Sequence, residues 1–407
     1  MQIIGHRGFR RLLLAQVTGL IGTGLMTVAL GLLAFDLAGD DAGAVLGTAL
    51  AIKMIAYVFV APVSSALTDR IPRRVLLVSS DVVRAGIALC LPFVGAVWQI
   101  YVLAFVLQAA SATFTPALQT VILAMLVDED DYTRGLSLTR LAYDAESLLS
   151  PLLAAAMLTL VHYNSLFVCT AAGFVISATI VARTKLPQVQ PADRSMPLMV
   201  RITGGARIMA GDPVLRGLLA MNMVVAAATA LVVVNTVVYV LDLFAGSDSE
   251  VALMLACYGA GSIAATLAVP RALAWIGDRA LMLSGCALMV IGLAAAAVIT
   301  VRATPSLTWW LLLTLAWLVL GSGTSLVSTP SKRLLRARSD AMTRASVFTA
   351  QFSVSHACFL LTYPLAGWVG VVAGQTGAAV SLAVLATLAA LTASLIWPPS
   401  MRSGTSA

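Results

Sequence analysis

The sequence predicts an all-α polytopic membrane protein of twelve transmembrane helices in two pseudo-symmetric six-helix bundles. Three observations carry that prediction. Of 407 residues, 60% are apolar and 11% charged, against about 45–50% and about 25% in soluble domains, which excludes a water-soluble globule. The charges collect between continuous apolar runs of about 18–29 residues, each long enough to cross a hydrocarbon core of about 30 Å. Outer-membrane barrel strands alternate apolar and polar over about 10 residues and do not fit. One long polar stretch, Arg183 to Asp212, holds Pro187, Pro191 and Pro197, is followed by Pro213, and divides six runs from six.

Residues 12–35 form the first span. Arg7, Arg10 and Arg11 precede it as in a signal peptide, but no small-residue cleavage motif follows and the run is too long for a signal core. Spans 44–67 (with Lys53), 75–97 (Asp81 and Arg84), 99–127, 136–160 (Asp144 and Glu146) and 165–183 complete the first half. Beyond the linker, 184–212, lie 213–241, 250–270, 280–301, 308–330, 344–369 (His356) and 376–397. The expected organisation is an N-terminal bundle 1–183 and a C-terminal bundle 213–407.

Orientation follows from the basic residues. Of the 25 lysines and arginines, all but Lys53, Arg84 and Arg302 fall on one side of this arrangement. Cytoplasmic loops hold the positive excess, so both termini are expected in the cytoplasm. The formal charge of +7 is therefore topological, and no basic face for nucleic acid is expected. Cys90, Cys169, Cys257, Cys286 and Cys358 lie in apolar runs without CxxC spacing; they read as small core residues rather than a disulfide framework or zinc site.

The halves echo each other. The first span ends in Ala34-Phe35-Asp36-Leu37-Ala38-Gly39 and the seventh in Leu241-Asp242-Leu243-Phe244-Ala245-Gly246. Thr115-Pro116 with Thr133-Arg134 is matched by Thr329-Pro330 with Thr343-Arg344. Echoes at equivalent places favour a repeat of six helices, the construction of many secondary transporters.

The loop after the second span carries Ser65-Ala66-Leu67-Thr68-Asp69-Arg70-Ile71-Pro72-Arg73-Arg74. It resembles the signature G-x-L-x-D-R-x-G-R-R of the major facilitator superfamily, with Ser65 and Pro72 where glycines are usual. The resemblance implies a gating role for Asp69, Arg70, Arg73 and Arg74; a merely positive-inside loop is the plainer reading. Asp81-x-x-Arg84, Thr115-Pro116 and Ser150-Pro151 resemble the efflux branch that includes enterobactin exporters and nickel/cobalt-resistance permeases. The segment from Asp131-Tyr132-Thr133-Arg134 to Ser147-Leu148-Leu149-Ser150-Pro151 is similar to the nickel-resistance members. The His-rich carboxyl tail of some metal exporters has no counterpart in Met401 to Ala407, and span 4 lacks the buried arginine of many drug antiporters. The resemblance thus implies a multi-pass inner-membrane antiporter for proton-coupled efflux of a drug-like or siderophore-like solute, the alternative being a nickel/cobalt exporter conferring resistance. Its partners would be the small-molecule substrate, protons and the lipid bilayer. A monomer without cofactor or resident metal is expected.

An ionisable side chain at the bilayer centre costs about 2.5–3.5 kcal/mol and asks for a partner or a purpose. Asp81 and Arg84, three apart, are placed to pair on one helix face. Arg84 and Asp144 each lie about ten residues into their helices, about 15 Å at a 1.5 Å rise, so a cross-helix pair is equally open. In that case Glu146 is left to titrate, because burial favours the neutral carboxyl. Glu146 and His356 each lie twelve residues beyond the repeated Arg134 and Arg344. Histidine titrates near neutrality, so His356 is either a second proton-coupling group or a hydrogen-bonded packing residue.

Polar stripes mark a solute path. Gln16, Thr23 and Thr27 on the first span, and Gln108, Thr115 and Gln119 on the fourth, stand at i, i+7, i+11, within about 20° of one line on a helix. Asn222, Thr229 and Thr236 on the seventh stand at i, i+7, i+14, and Thr314, Gly321 and Ser325 on the tenth again at i, i+7, i+11. In the resembled superfamily these four helices line the cavity; hydrogen-bonded helix contacts are the other reading. No His-Glu-x-x-His, Gly-x-Ser-x-Gly or phosphate-binding loop is found, so an enzyme or nucleotide-driven pump is not expected. A channel would call for a charge ring or carbonyl filter.

Overall fold

The computed structural model describes residues 7–60, 71–125, 129–187, 198–302, 304, 306–339 and 344–398. Its long helices are α1 Arg7–Ala38, α2 Ala42–Ile55 continued by a π-helical turn Ala56–Val60, α3 Arg73–Cys90, α4 Val97–Met125, α5 Glu129–Leu158 and α6 Asn164–Ala182. A linker helix, Leu198–Gly211, precedes α7 Pro213–Leu243, α8 Asp248–Leu273, α9 Trp275–Arg302, α10 Leu307–Ala337, α11 Arg344–Val372 and α12 Gly374–Ile396. The fold is all-α and polytopic, with twelve long helices among the described residues.

Local chemistry sets the ends of these helices. Asp212 caps α7, accepting from the amides of Val214 at 2.7 Å and Leu215 at 3.2 Å, and Pro213 fills the first helical position, where no donor is needed. In the first turn of α8, Glu250 accepts from the Ser247 amide at 2.7 Å and from the Ser247 hydroxyl at 2.9 Å, the return half of a capping box. α3 stops earlier than its expected span because Pro92 sits in the 3₁₀ turn Leu91–Phe93 that follows it. α8 and α9 belong to one run, Asp248–Arg302, kinked just inside the start of α9 at Gly277, whose φ of 70° and ψ of 168° suit a residue without Cβ. α7 widens into π-helical turns at Leu231–Asn235 and Tyr239–Leu243.

The chain divides into two compact units, one of residues 1–193 with 234–256, the other of 194–233 with 257–407. In the first, α1 packs against α6 and α5, and α3 against α6 and α4. Small residues allow the closest of these approaches: a methyl on Gly173 would press on the Thr18 carbonyl, and one on Gly22 on the Thr170 carbonyl. There Thr170 donates its hydroxyl to the Gly22 carbonyl at 2.8 Å. Phe9, Leu12, Leu77, Phe114, Val121 and Val181 form an apolar core at the arginine-bearing end. At the opposite end, Tyr163 donates to Asp36 Oδ2 at 2.8 Å. Burial, and then that hydrogen bond, pushes the phenol pKa up, so Tyr163 stays a donor.

In the second unit, α12 and α11 pack on the first part of α7. α8 and α10 cross at Gly261 and Gly321, where added methyls would overlap the backbone of Leu318 and Tyr258. The five cysteines are unpaired; Cys286 and Cys358 are buried, whereas Cys90 is exposed at the end of α3 rather than in the core.

Candidate functional site

A cavity of about 250 Å³ opens within the first unit. Its wall is built by α1 (Gln16, Thr23, Thr27), α4 (Gln108, Ser111, Thr115), Lys53 and Tyr57 of α2, Arg84 of α3 and Glu146 of α5. The polar stripes of α1 and α4 therefore face one space, as helical spacing allows. Gln119 lies on α4 and Asp144 on α5, but their side chains are outside the described residues, as are Asp69 and Arg70.

Two charge arrangements differ in kind. Asp81 and Arg84 form an ion pair one turn apart, Asp81 fully buried and Arg84 5% exposed. The Arg84 guanidinium lies 4.2 Å from the Phe114 ring centroid and 4.5 Å from that of Phe174, so α4 and α6 supply it with aromatic faces. Lys53 and Glu146 are the second arrangement. They come from α2 and α5, both border the cavity, and each feels the other's charge. Lys53 was visible in the sequence as a mid-span charge, but its partner is 93 residues away and is met only through packing. Tyr57, Ser111 and Phe114 were not anticipated either; nothing in their spacing separates them from ordinary helix positions.

The Glu146 carboxylate is seated by a glycine. A methyl on Gly24 of α1 would overlap both Ser150 and Glu146 Oε1, so this bare patch of helix is what lets α5 bring the acid to the cavity. Gly24→Ala is expected to cost about 1–3 kcal/mol through overpacking and to depress solute flux in proteoliposomes. Wild-type melting and flux together would refute this.

The other candidates are engaged elsewhere. Arg74 donates to the Thr184 carbonyl at 2.9 Å, beyond the C-terminal end of α6, where a cation complements the helix dipole. Arg73 also lies at the start of α3. In the second unit Asn222 and Gln351 exchange reciprocal amide hydrogen bonds at 3.1 and 2.9 Å. Thr229 shares a hydrogen bond with Tyr258 at 3.1 Å, Tyr258 donates to Thr324 at 3.1 Å, and Ser325 meets Ser262 at 2.6 Å. His356 Nδ1 lies 2.7 Å from the Phe352 carbonyl, its ring stacked obliquely on Phe352. Among the described residues no three histidine, cysteine or acidic side chains gather as a metal site.

The family model for the Major Facilitator Superfamily matches residues 12–246. The chain belongs to that superfamily. It is thus a multi-pass inner-membrane protein with the superfamily's transport fold rather than a catalytic one. It is 28% identical over 178 residues to YfiS, an uncharacterized MFS-type transporter of Bacillus subtilis (strain 168), covering 43% of this chain and 42% of that protein. It is 25% identical over 150 residues to macrolide efflux protein A of Streptococcus pyogenes, covering 36% and 37%. The matched stretch thus spans about two fifths of each of these relatives. The crystal structure of the nucleoside transporter NupG superposes with a TM-score of 0.74 at 15% identity, over 96% of this chain and 98% of that one, which is a likeness of fold.

Proposed function

We propose that this chain exports a small organic solute, drug-like or siderophore-like, in exchange for protons. The observation that carries this reading is the cavity of the first unit, where one carboxylate, Glu146, borders the same space as the polar stripes of α1 and α4. A solute and a proton can then compete for one site, which is the minimum requirement of exchange by alternating access. Export as the direction is supported by the partial similarity to a protein named for macrolide efflux. Positive-inside counting supports cytoplasmic termini, and the loop carrying Asp69, Arg70, Arg73 and Arg74 is assigned to the cytoplasmic gate. Glu146 is the principal proton carrier; Asp144, Asp81, Arg84 and His356 are auxiliary candidates. The protein acts as a monomer.

The cavity wall offers amides, hydroxyls, the Glu146 carboxylate and the cationic Lys53 and Arg84, a set that suits an organic solute better than a bare divalent cation. The test is the pH gradient of everted, respiring vesicles challenged with lipophilic drugs, siderophores, Ni²⁺ and Co²⁺. Collapse of the gradient by organic compounds alone is expected. A collapse specific to the metals would transfer the assignment to a metal exporter, and no response to any of them would remove proton exchange.

A further inference from the structure

The cavity wall has a polarity that the residue types alone conceal. Thr23 donates its hydroxyl to the Gly19 carbonyl at 2.9 Å and Thr27 to that of Thr23 at 3.0 Å. Ser111 donates to Leu107 at 3.0 Å and Thr115 to Ser111 at 3.1 Å. A hydroxyl has one proton and two lone pairs, so these four have spent their donors on their own helices and turn only acceptors outward. Gln16, 6% exposed, adds an Oε1 with no hydrogen-bond partner, and Glu146 adds a carboxylate. A buried acceptor left unmatched is costly, so these faces of α1 and α4 suit a ligand that brings N–H donors, while Lys53 and the Gln108 amide are donors of the same wall.

Charge sets the second condition. Arg84 and Asp81 neutralise each other, which leaves Lys53 and Glu146 as the remaining charges described at the cavity, equal and opposite. In a poorly solvated space a singly charged solute would leave one charge uncompensated. A solute with both an ammonium and an acid group leaves none. Its ammonium meets Glu146 and the acceptors of α1, and its carboxylate meets Lys53.

We infer that the cavity binds a zwitterionic solute, one carrying an amine and an acid on a small apolar body, between Glu146 and Lys53. The inference rests on the reading of this cavity as the solute site. Protonation of Glu146 removes the charge that holds the ammonium, so proton and zwitterion exclude each other, as exchange requires. The volume of about 250 Å³ lies just under the roughly 300–1,000 Å³ of drug-sized sites, which narrows the proposed solute to the compact end of the drug-like class.

The test uses the purified full chain and two triples of probes that share an apolar body: leucine, leucinamide and 4-methylpentanoate; phenylalanine, phenylalaninamide and 3-phenylpropanoate. Binding is read by calorimetry at neutral pH. Each zwitterion is expected to bind at least about thirtyfold more tightly than its amide or its deaminated acid, since each analogue leaves one buried charge unmatched. Lys53→Gln should erase the preference over the amide, and Glu146→Gln the preference over the acid. An amide or acid that matches its zwitterion, or the absence of binding by either triple, overturns the inference on the wild-type protein alone. Flux under an imposed pH gradient is read separately in proteoliposomes. Zwitterion preference with flux indifferent to the gradient keeps this inference and removes proton exchange. Gradient-driven flux of solutes that ignore the preference does the reverse.

Discussion

Glu146→Gln abolishes transport driven by a pH gradient while leaving the protein folded. Glutamine keeps the length and planar end of glutamate, so the slot beside Gly24 and Ser150 is filled as before. What it cannot do is hold an exchangeable proton or a negative charge. Among the described residues Glu146 is the carboxylate on the cavity wall; Asp81 is committed to Arg84. The variant is expected to fall to the background of empty vesicles in gradient-driven flux while still accumulating in the membrane as folded protein. Because it also leaves Lys53 without its countercharge, Lys53→Met/Glu146→Gln is the control for damage by an unbalanced buried cation. If Glu146→Gln still concentrates solute against a pH gradient at the wild-type rate, the proton site lies elsewhere.

How much of this was legible in the sequence differs between the two scales of structure. The spans were, because about twenty apolar residues in a row have few other uses, and α1, α4, α6 and α12 lie close to the expected runs. Ends were less so. The acidic turn Glu129-Asp130-Asp131, expected in a loop, opens α5 instead, where negative charge favours a helix start. The π-helical turns of α2 and α7 were invisible, since widening a helix by one residue per turn leaves composition unchanged. Periodicity also predicts which residues share a line, but not what covers that line. The same spacing that sets Gln16, Thr23 and Thr27 against a cavity sets Ser325 against Ser262 in a helix crossing. For the ionisable groups, the local pair was readable at three-residue spacing, whereas Lys53 and Glu146 needed the packing of two distant helices.

The pair Asp81–Arg84 makes the largest stability prediction. With Asp81 fully buried and Arg84 5% exposed between Phe114 and Phe174, Asp81→Asn takes from a sequestered guanidinium the carboxylate one turn away. Breaking one side of such a pair costs about 3–5 kcal/mol, a large share of the stability of an ordinary domain. A steep fall in the thermal midpoint of detergent-purified protein, or failure to accumulate in the membrane, is expected. Arg84→Lys should also be destabilising, because an ammonium lacks the flat faces that lie against two rings. Removing both charges in Asp81→Leu/Arg84→Met is expected to recover most of the loss, since an apolar replacement owes no desolvation. A single variant that melts like the wild type would show that water reaches this pair. A double variant as unstable as the singles would instead make the shape of the Arg84 stack, rather than charge balance, what holds α3 against α4 and α6.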